Sequence, residues 1–261
     1  MPIYHVKVTG SDREAMLDLV RYYKVDVARN TAEKTPEGYR IHAQANGHQI
    51  RRLRAAGYGV EQLEDATQGG KARQKEFREV FRKTTLSGED LAMGRSPHYL
   101  SVADVERALA VAASTPNKPF VKLIKLPNKT WEKRACHAVR VGQGIGNNRP
   151  GIYFLGGVHA REWGSPDILV NFMGRLISAY RNKAGITIGH NTFTATQIQT
   201  LVDTKDIYIF PQANPDGRHY SLTKEAMWRK NRRPASPPCP PSSRRRAIRG
   251  GVYRETPGGS R

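Results

Sequence analysis

The sequence predicts an α/β domain preceded by a smaller α+β unit, and three observations predict it. Two long apolar runs, GIYFLGGV at 151–158 and DIYIFPQ at 206–212, alternate with stretches of helical period. The first 66 residues order themselves β-α-β-β-α-β. After residue 233 patterned sequence gives way to PASPPCPPSSRRRAIRGGVYRETPGGSR. At 261 residues the chain has room for one large domain or two modest ones.

The elements follow in order. IYHVKV (3–8) alternates as a strand does. Ser11 or Asp12 is placed to cap a helix carrying Ala15, Met16, Leu19 and Val20 on one face. VDVA (25–28) reads as a short strand, and Pro36-Glu37-Gly38 as a turn into YRIHA (39–43). Ile50, Leu53 and Ala56 mark a second helix that Gly57 ends, and YGVEQL (58–63) closes the set. This order is the split βαβ of ferredoxin-like domains, so residues 1–66 form the first unit. Residues 67–95, with Gly69-Gly70 and KARQKEFREVFRK, read as an exposed, charged connector, partly helical.

Residues 96–233 read as the α/β domain. A helix spans about 101–113; FVKLIKL (120–126) and ACHAVRV (135–141) are strands. GIYFLGGV has the composition of a strand buried on both faces. Ser165 is the expected N-cap of the next helix, with Pro166 at its first position and Ile168, Leu169, Phe172, Met173, Leu176, Ile177 and Tyr180 on a broad apolar face. NPDG (214–217) reads as a turn that stops the last strand. GQGIG (142–146) lacks dinucleotide-loop spacing and reads as a strand connection. Residues 234–261 have almost nothing to bury and are expected to be disordered.

The chain carries 43 Lys and Arg against 23 Asp and Glu, a net charge of +20. No aromatic-basic interleaving or nucleic-acid motif accompanies that charge, so nucleic acid is not an expected partner. No run approaches 18 apolar residues, so no membrane span is expected. The start, MPIYHVKVTGSDREAM, shows no secretory leader, and localisation stays open. Cys136 and Cys239 support neither a disulfide framework nor a cysteine zinc site.

The chemistry concentrates in GGVHAREWGSP (156–166). His159 and Glu162, three apart and just past a strand, are able to face one point above the sheet edge. Imidazole and carboxylate together suit Zn²⁺, whose catalytic sites take three protein ligands and leave one position open. Strand ends of this kind are where open α/β sheets place their sites.

With NPDGRHYS (214–221) and MWRKNRR (227–233) following in order, the stretch resembles the zinc signature of the metallocarboxypeptidases of the carboxypeptidase A/B type, peptidase family M14. The likeness covers about residues 96–233; the first unit more weakly resembles the propeptides that precede such enzymes. The resemblance implies a mixed-sheet carboxypeptidase-like domain and hydrolysis of C-terminal amino acids from peptide or protein C-termini by a monomer. It implies one zinc ion held by His159 and Glu162. Arg161 would hold substrate, and Arg229 would bind substrate and polarise the scissile carbonyl. It also implies parts this sequence lacks: an Asn-Arg pair for the terminal carboxylate, a third zinc histidine, a tyrosine and a glutamate base. The domain is therefore expected to be C-terminally truncated or frame-shifted, and catalytically incomplete. His5, His42, His48, His190 and His219 read as surface or turn residues rather than replacement ligands. The family mostly works outside the cytosol. The alternative is a non-catalytic, carboxypeptidase-like protein that binds peptides or acts as an inhibitor through its first unit. A zinc acylase sharing His-x-x-Glu fits less well with Trp163, NPDG and WRK.

Overall fold

The computed structural model describes residues 1–144 and 149–234. The tail beyond Pro234, Cys239 and the end of GQGIG lie outside the described residues, and so does the expectation of a disordered tail.

Short polar caps and alternating apolar residues build the first unit. β1 (Ile3–Gly10) turns Val6 and Val8 inward. α1 (Arg13–Arg21) starts at Asp12, not Ser11: the Asp12 carboxylate accepts from the Ala15 N–H at 2.9 Å. β2 (Asp26–Thr35) runs well past the expected VDVA and turns into β3 (Gly38–Asn46). α2 (Gly47–Ala55) begins with a reciprocal Asn46–Gln49 capping box and ends at Gly57, whose φ of +86° suits glycine. β4 (Gly59–Asp65) completes an antiparallel sheet of order β2-β3-β1-β4. Val6, Val8, Leu19, Ile41, Ile50 and Leu53 form its core.

α3 (Ala66–Lys83) and α4 (Gly88–Ala92) occupy the expected connector. α3 is more than an exposed face: Gln74 and Phe77 are buried, and Phe77 packs with Trp163, Leu222 and Ala226. The charged run hid this because buried positions recur only once per turn amid Lys, Arg and Glu.

The second unit begins with α5 (Val102–Ala112), capped by Ser101 and Asp104. β5 (Val121–Lys125), β6 (His137–Val141) and β7 (Gly151–Leu155) follow. Next come α6 (Gly164–Arg181), a hairpin of β8 (Ile186–Ile188) and β9 (Asn191–Phe193), and α7 (Ala195–Thr204). β10 (Asp206–Phe210) and α8 (Pro215–Thr223) end the described fold. The sheet is mixed, of order β5-β6-β10-β7: β10 lies antiparallel to β6 and parallel to β7. Leu109, Met173, Leu176 and Val202 from the helices pack on Val139, Val141, Ile207 and Ile209.

Three expectations are corrected here. β7 is not buried on both faces: among the described residues it pairs only with β10, and Tyr153 and Leu155 are 61% and 50% exposed. Ser165 does not cap α6; Trp163 occupies that position without a side-chain capping bond, while Ser165 Oγ accepts from the Gly157 N–H at 3.0 Å. NPDG does not merely stop a strand. Asn214 caps α8, accepting from the Gly217 N–H at 3.0 Å, and Pro215 opens the helix.

Candidate metal centre

The motif leaves the sheet where β7 and β10 end side by side. Gly156 N–H donates to Phe210 O at 2.9 Å, and Gly156 O accepts from Ala213 N–H at 2.9 Å. A side chain at Gly157 (φ +62°) would place its Cβ 2.9 Å from Gln212 Cα. The glycine pair is what lets the chain bend this tightly against β10. His159 to Trp163 then form a short loop ahead of α6.

His159 and Glu162 do converge. His159 Nδ1 lies 2.7 Å from Glu162 Oε1, both groups being partly exposed. A guanidinium nitrogen of Arg229 approaches the same Nδ1 at 3.4 Å. That nitrogen therefore meets an acceptor on one side and a donor on the other. Its lone pair, free only in one tautomer, is what a metal would take. Two tetrahedral zinc ligands sit roughly 3.3 Å apart, so the observed 2.7 Å must open by about 0.6 Å. Rotation of two half-exposed side chains supplies that. Donor chemistry and convergence fit two zinc ligands. Among the described residues no group of three or more His, Cys, Asp or Glu side chains is placed to hold one ion.

Asp26, at the start of β2, completes the cluster. Its Oδ2 pairs with Arg161 and lies 3.1 Å from Arg229 Nε. Burial holds Arg161 below the usual arginine range, with Arg229 adding to that effect and Asp26 working against it. The first unit thus lays a carboxylate across both arginines. His5, Asp26, His42, Gln44, Arg161, Glu162 and Arg229 line a cavity of about 260 Å³ there. Sequence reasoning had no means of finding Asp26: it lies in another unit, and one aspartate in a strand carries no signal.

Of the remaining histidines, His5 and His42 line the same cavity, but among the described residues none joins the pair in a group of three able to hold an ion. His42, His48 and His190 are exposed, and His5 Nε2 faces Glu64 at 3.4 Å. His219 is held below the usual histidine range by burial and by Arg134. His137 pairs with Glu106 at 2.6 Å, and Glu106 also accepts from Gln212 Nε2 at 2.8 Å.

The sequence profile described as zinc carboxypeptidase matches residues 108–241, just over half of the chain. The chain belongs to the zinc carboxypeptidase family. It is 36% identical over 107 residues to metallocarboxypeptidase A of Trichophyton tonsurans, a stretch covering 41% of this chain and 22% of that protein. It is 29% identical over 165 residues to zinc carboxypeptidase A 1 of Drosophila melanogaster, covering 62% and 35%. The matched stretches thus span about a fifth to a third of these relatives. The crystal structure of carboxypeptidase A from Helicoverpa armigera superposes with a TM-score of 0.64 at 18% identity, over 88% of this chain and 53% of that one. Thrombin-activatable fibrinolysis inhibitor superposes at 0.56 with 20% identity, over 89% and 55%. These likenesses show the shared fold. The zinc carboxypeptidases are a metal-dependent peptidase family, and no helix among the described residues is long and apolar enough to cross a membrane.

Within this family member the NPDG aspartate ties down the loop after β5. Asp216 accepts from Thr130 Oγ1 at 2.8 Å, the Glu132 N–H at 2.9 Å and Arg134 at 2.6 Å. Burial alone would raise its pKa, but these bonds outweigh it and hold the carboxyl below its usual range. A carboxyl with a depressed folded pKa stabilises the fold above its unfolded value of about 3.9, and that contribution is lost as pH falls through the folded value. Asp216→Asn is expected to lower stability at pH 7 by about 1–3 kcal/mol. The gap in urea midpoint between variant and wild type should narrow towards pH 3. A gap that stays constant from pH 7 to pH 3 contradicts this account.

Proposed function

We propose that this chain carries part of a zinc carboxypeptidase site, in which His159 and Glu162 hold one Zn²⁺ and Arg161 and Arg229 receive the C-terminal end of a peptide. Zinc, when bound, acts as a Lewis acid. The single observation carrying the reading is the convergence of His159 Nδ1 and Glu162 Oε1 at 2.7 Å, beside Arg229 and at the sheet edge.

Each residue has a physical task. Glu162 supplies negative charge that offsets a dication next to two guanidinium groups. Arg229, partly exposed and 3.4 Å from His159 Nδ1, binds a carbonyl oxygen and stabilises negative charge developing there. Arg161, largely buried, is a fixed anchor for an anionic or carbonyl group. Turnover needs a third ligand and a carboxylate base in addition, and the described residues bring no further acidic or histidine ligand to the pair. We therefore take the described residues as catalytically incomplete by themselves.

Asp26 favours a second reading, in which the first unit acts as an inhibitor-like module. Its carboxylate occupies the two arginines that a substrate's oxygen atoms would use. Asp26→Asn removes that competitor, so an N-acylated dipeptide should bind the whole chain about tenfold more tightly than wild type by isothermal titration. Unchanged affinity removes the inhibitory reading.

The primary reading is tested by zinc competition against a chromophoric chelator. Wild type should take up one Zn²⁺, and His159→Ala or Glu162→Gln should each weaken binding at least about tenfold. Equal binding by either variant contradicts the ligand assignment. Chelator-sensitive release of the C-terminal residue from the same dipeptide by wild type contradicts the assignment of incompleteness.

A further inference from the structure

We propose that Arg218 and Ser221, successive on one face of α8, are positioning residues that clamp Trp163 and so hold the backbone that aims Glu162 at His159. The link to metal rests on the zinc reading above; the clamp itself does not.

Arg218 is the largest fully buried side chain among the described residues, only 2% exposed. Its guanidinium donates to Trp163 O and to Leu100 O, each at 2.6 Å, and lies 3.3 Å from Asp167 Oδ2. Its Nε has no partner among the described residues. Burial pushes it below the usual arginine range, with Asp167 opposing. A buried guanidinium serving main-chain carbonyls is a costly way to fill space, because an apolar side chain of similar volume is often neutral or better for stability. It does what no apolar side chain can: fix the carbonyl that follows Glu162.

Ser221 holds the other end of the same residue. Trp163 Nε1 donates to Ser221 Oγ at 2.8 Å, and that hydroxyl donates to Ala226 O at 2.9 Å. Gln74 of α3 fixes Ser221 in turn, donating to its carbonyl at 2.6 Å. Trp163 is thus held at carbonyl and indole, one turn of helix apart on α8. Glu162 immediately precedes it, and the Glu162 N–H donates back to His159 O at 3.2 Å. With both ends of Trp163 fixed, the loop has little freedom to swing Glu162 away.

The test uses the whole chain with Arg218→Lys, Ser221→Ala and the conservative Ser221→Thr. Amide exchange in the metal-free protein reads the clamp without reference to zinc. Exchange at Ala160 and Glu162 should quicken about tenfold in Arg218→Lys and Ser221→Ala, while Val139 and Ile209 in the sheet stay as in wild type. Ser221→Thr, which keeps the hydroxyl, should restore slow exchange. Zinc affinity should fall about tenfold in the first two variants and recover in the third. Unchanged exchange at Ala160 and Glu162 overturns the proposal. So does equal quickening in the sheet, which marks a general structural role. Ser221→Ala, the milder change, decides if Arg218→Lys does not fold. If wild-type zinc binding proves independent of His159 and Glu162, the metal reading fails and exchange alone decides the clamp.

Discussion

Two separate stretches of chain carry the candidate site of the second unit, and helix α8 is what keeps them side by side. The first stretch, 156–163, bears His159, Arg161 and Glu162. The second, 226–230, bears Arg229. Asn214, at the head of α8, donates to Val158 O at 3.2 Å and to Lys230 O at 3.1 Å, touching both. Ala160 N–H donates to Arg229 O at 3.1 Å and joins them directly. Arg218 and Ser221 secure the far end of the first stretch. Gly217 allows the close approach: a Cβ there would lie 2.5 Å from Lys230 O. Each of these bonds uses a buried polar group, so losing one partner strands the other at a cost of about 1–3 kcal/mol.

Charge then decides what the cluster is able to hold. Arg161 and Arg229 repel one another and would repel a dication. Glu162 and Asp26 are the carboxylates that offset them, and Asp26 belongs to the first unit. Removing that unit's carboxylate would leave Arg161 and Arg229 without the anion they share. The same device recurs away from the site, where Asp206 pairs with both Arg140 and Arg149.

Much of this was legible in the sequence, for identifiable reasons. Asp12 is a short polar residue ahead of helical period, and its capping is local chemistry. The apolar runs at 151–155 and 206–210 are strands because nothing else suits such composition. His159, Glu162 and Arg229 were visible as spaced motifs that resemble a family. What escaped was tertiary. The exposed outer edge of β7 depends on which strands pair, and its composition says only that it wants burial. Ser165 looked like a cap but is used by Gly157 instead. α8 was hidden because NPDG is also a turn signal, and Arg218 because an arginine in a polar stretch reads as surface. Asp26 required two units to meet.

The central claim is that one ion binds between an imidazole and a carboxylate three residues apart. Crystals of the zinc-loaded chain, measured on both sides of the zinc absorption edge, test it most directly. The account predicts one anomalous peak within bonding distance, about 2.0–2.2 Å, of His159 Nδ1 and a Glu162 oxygen. A peak seated on other side chains, or His159 and Glu162 still bonded to each other beside an ion bound elsewhere, would contradict it.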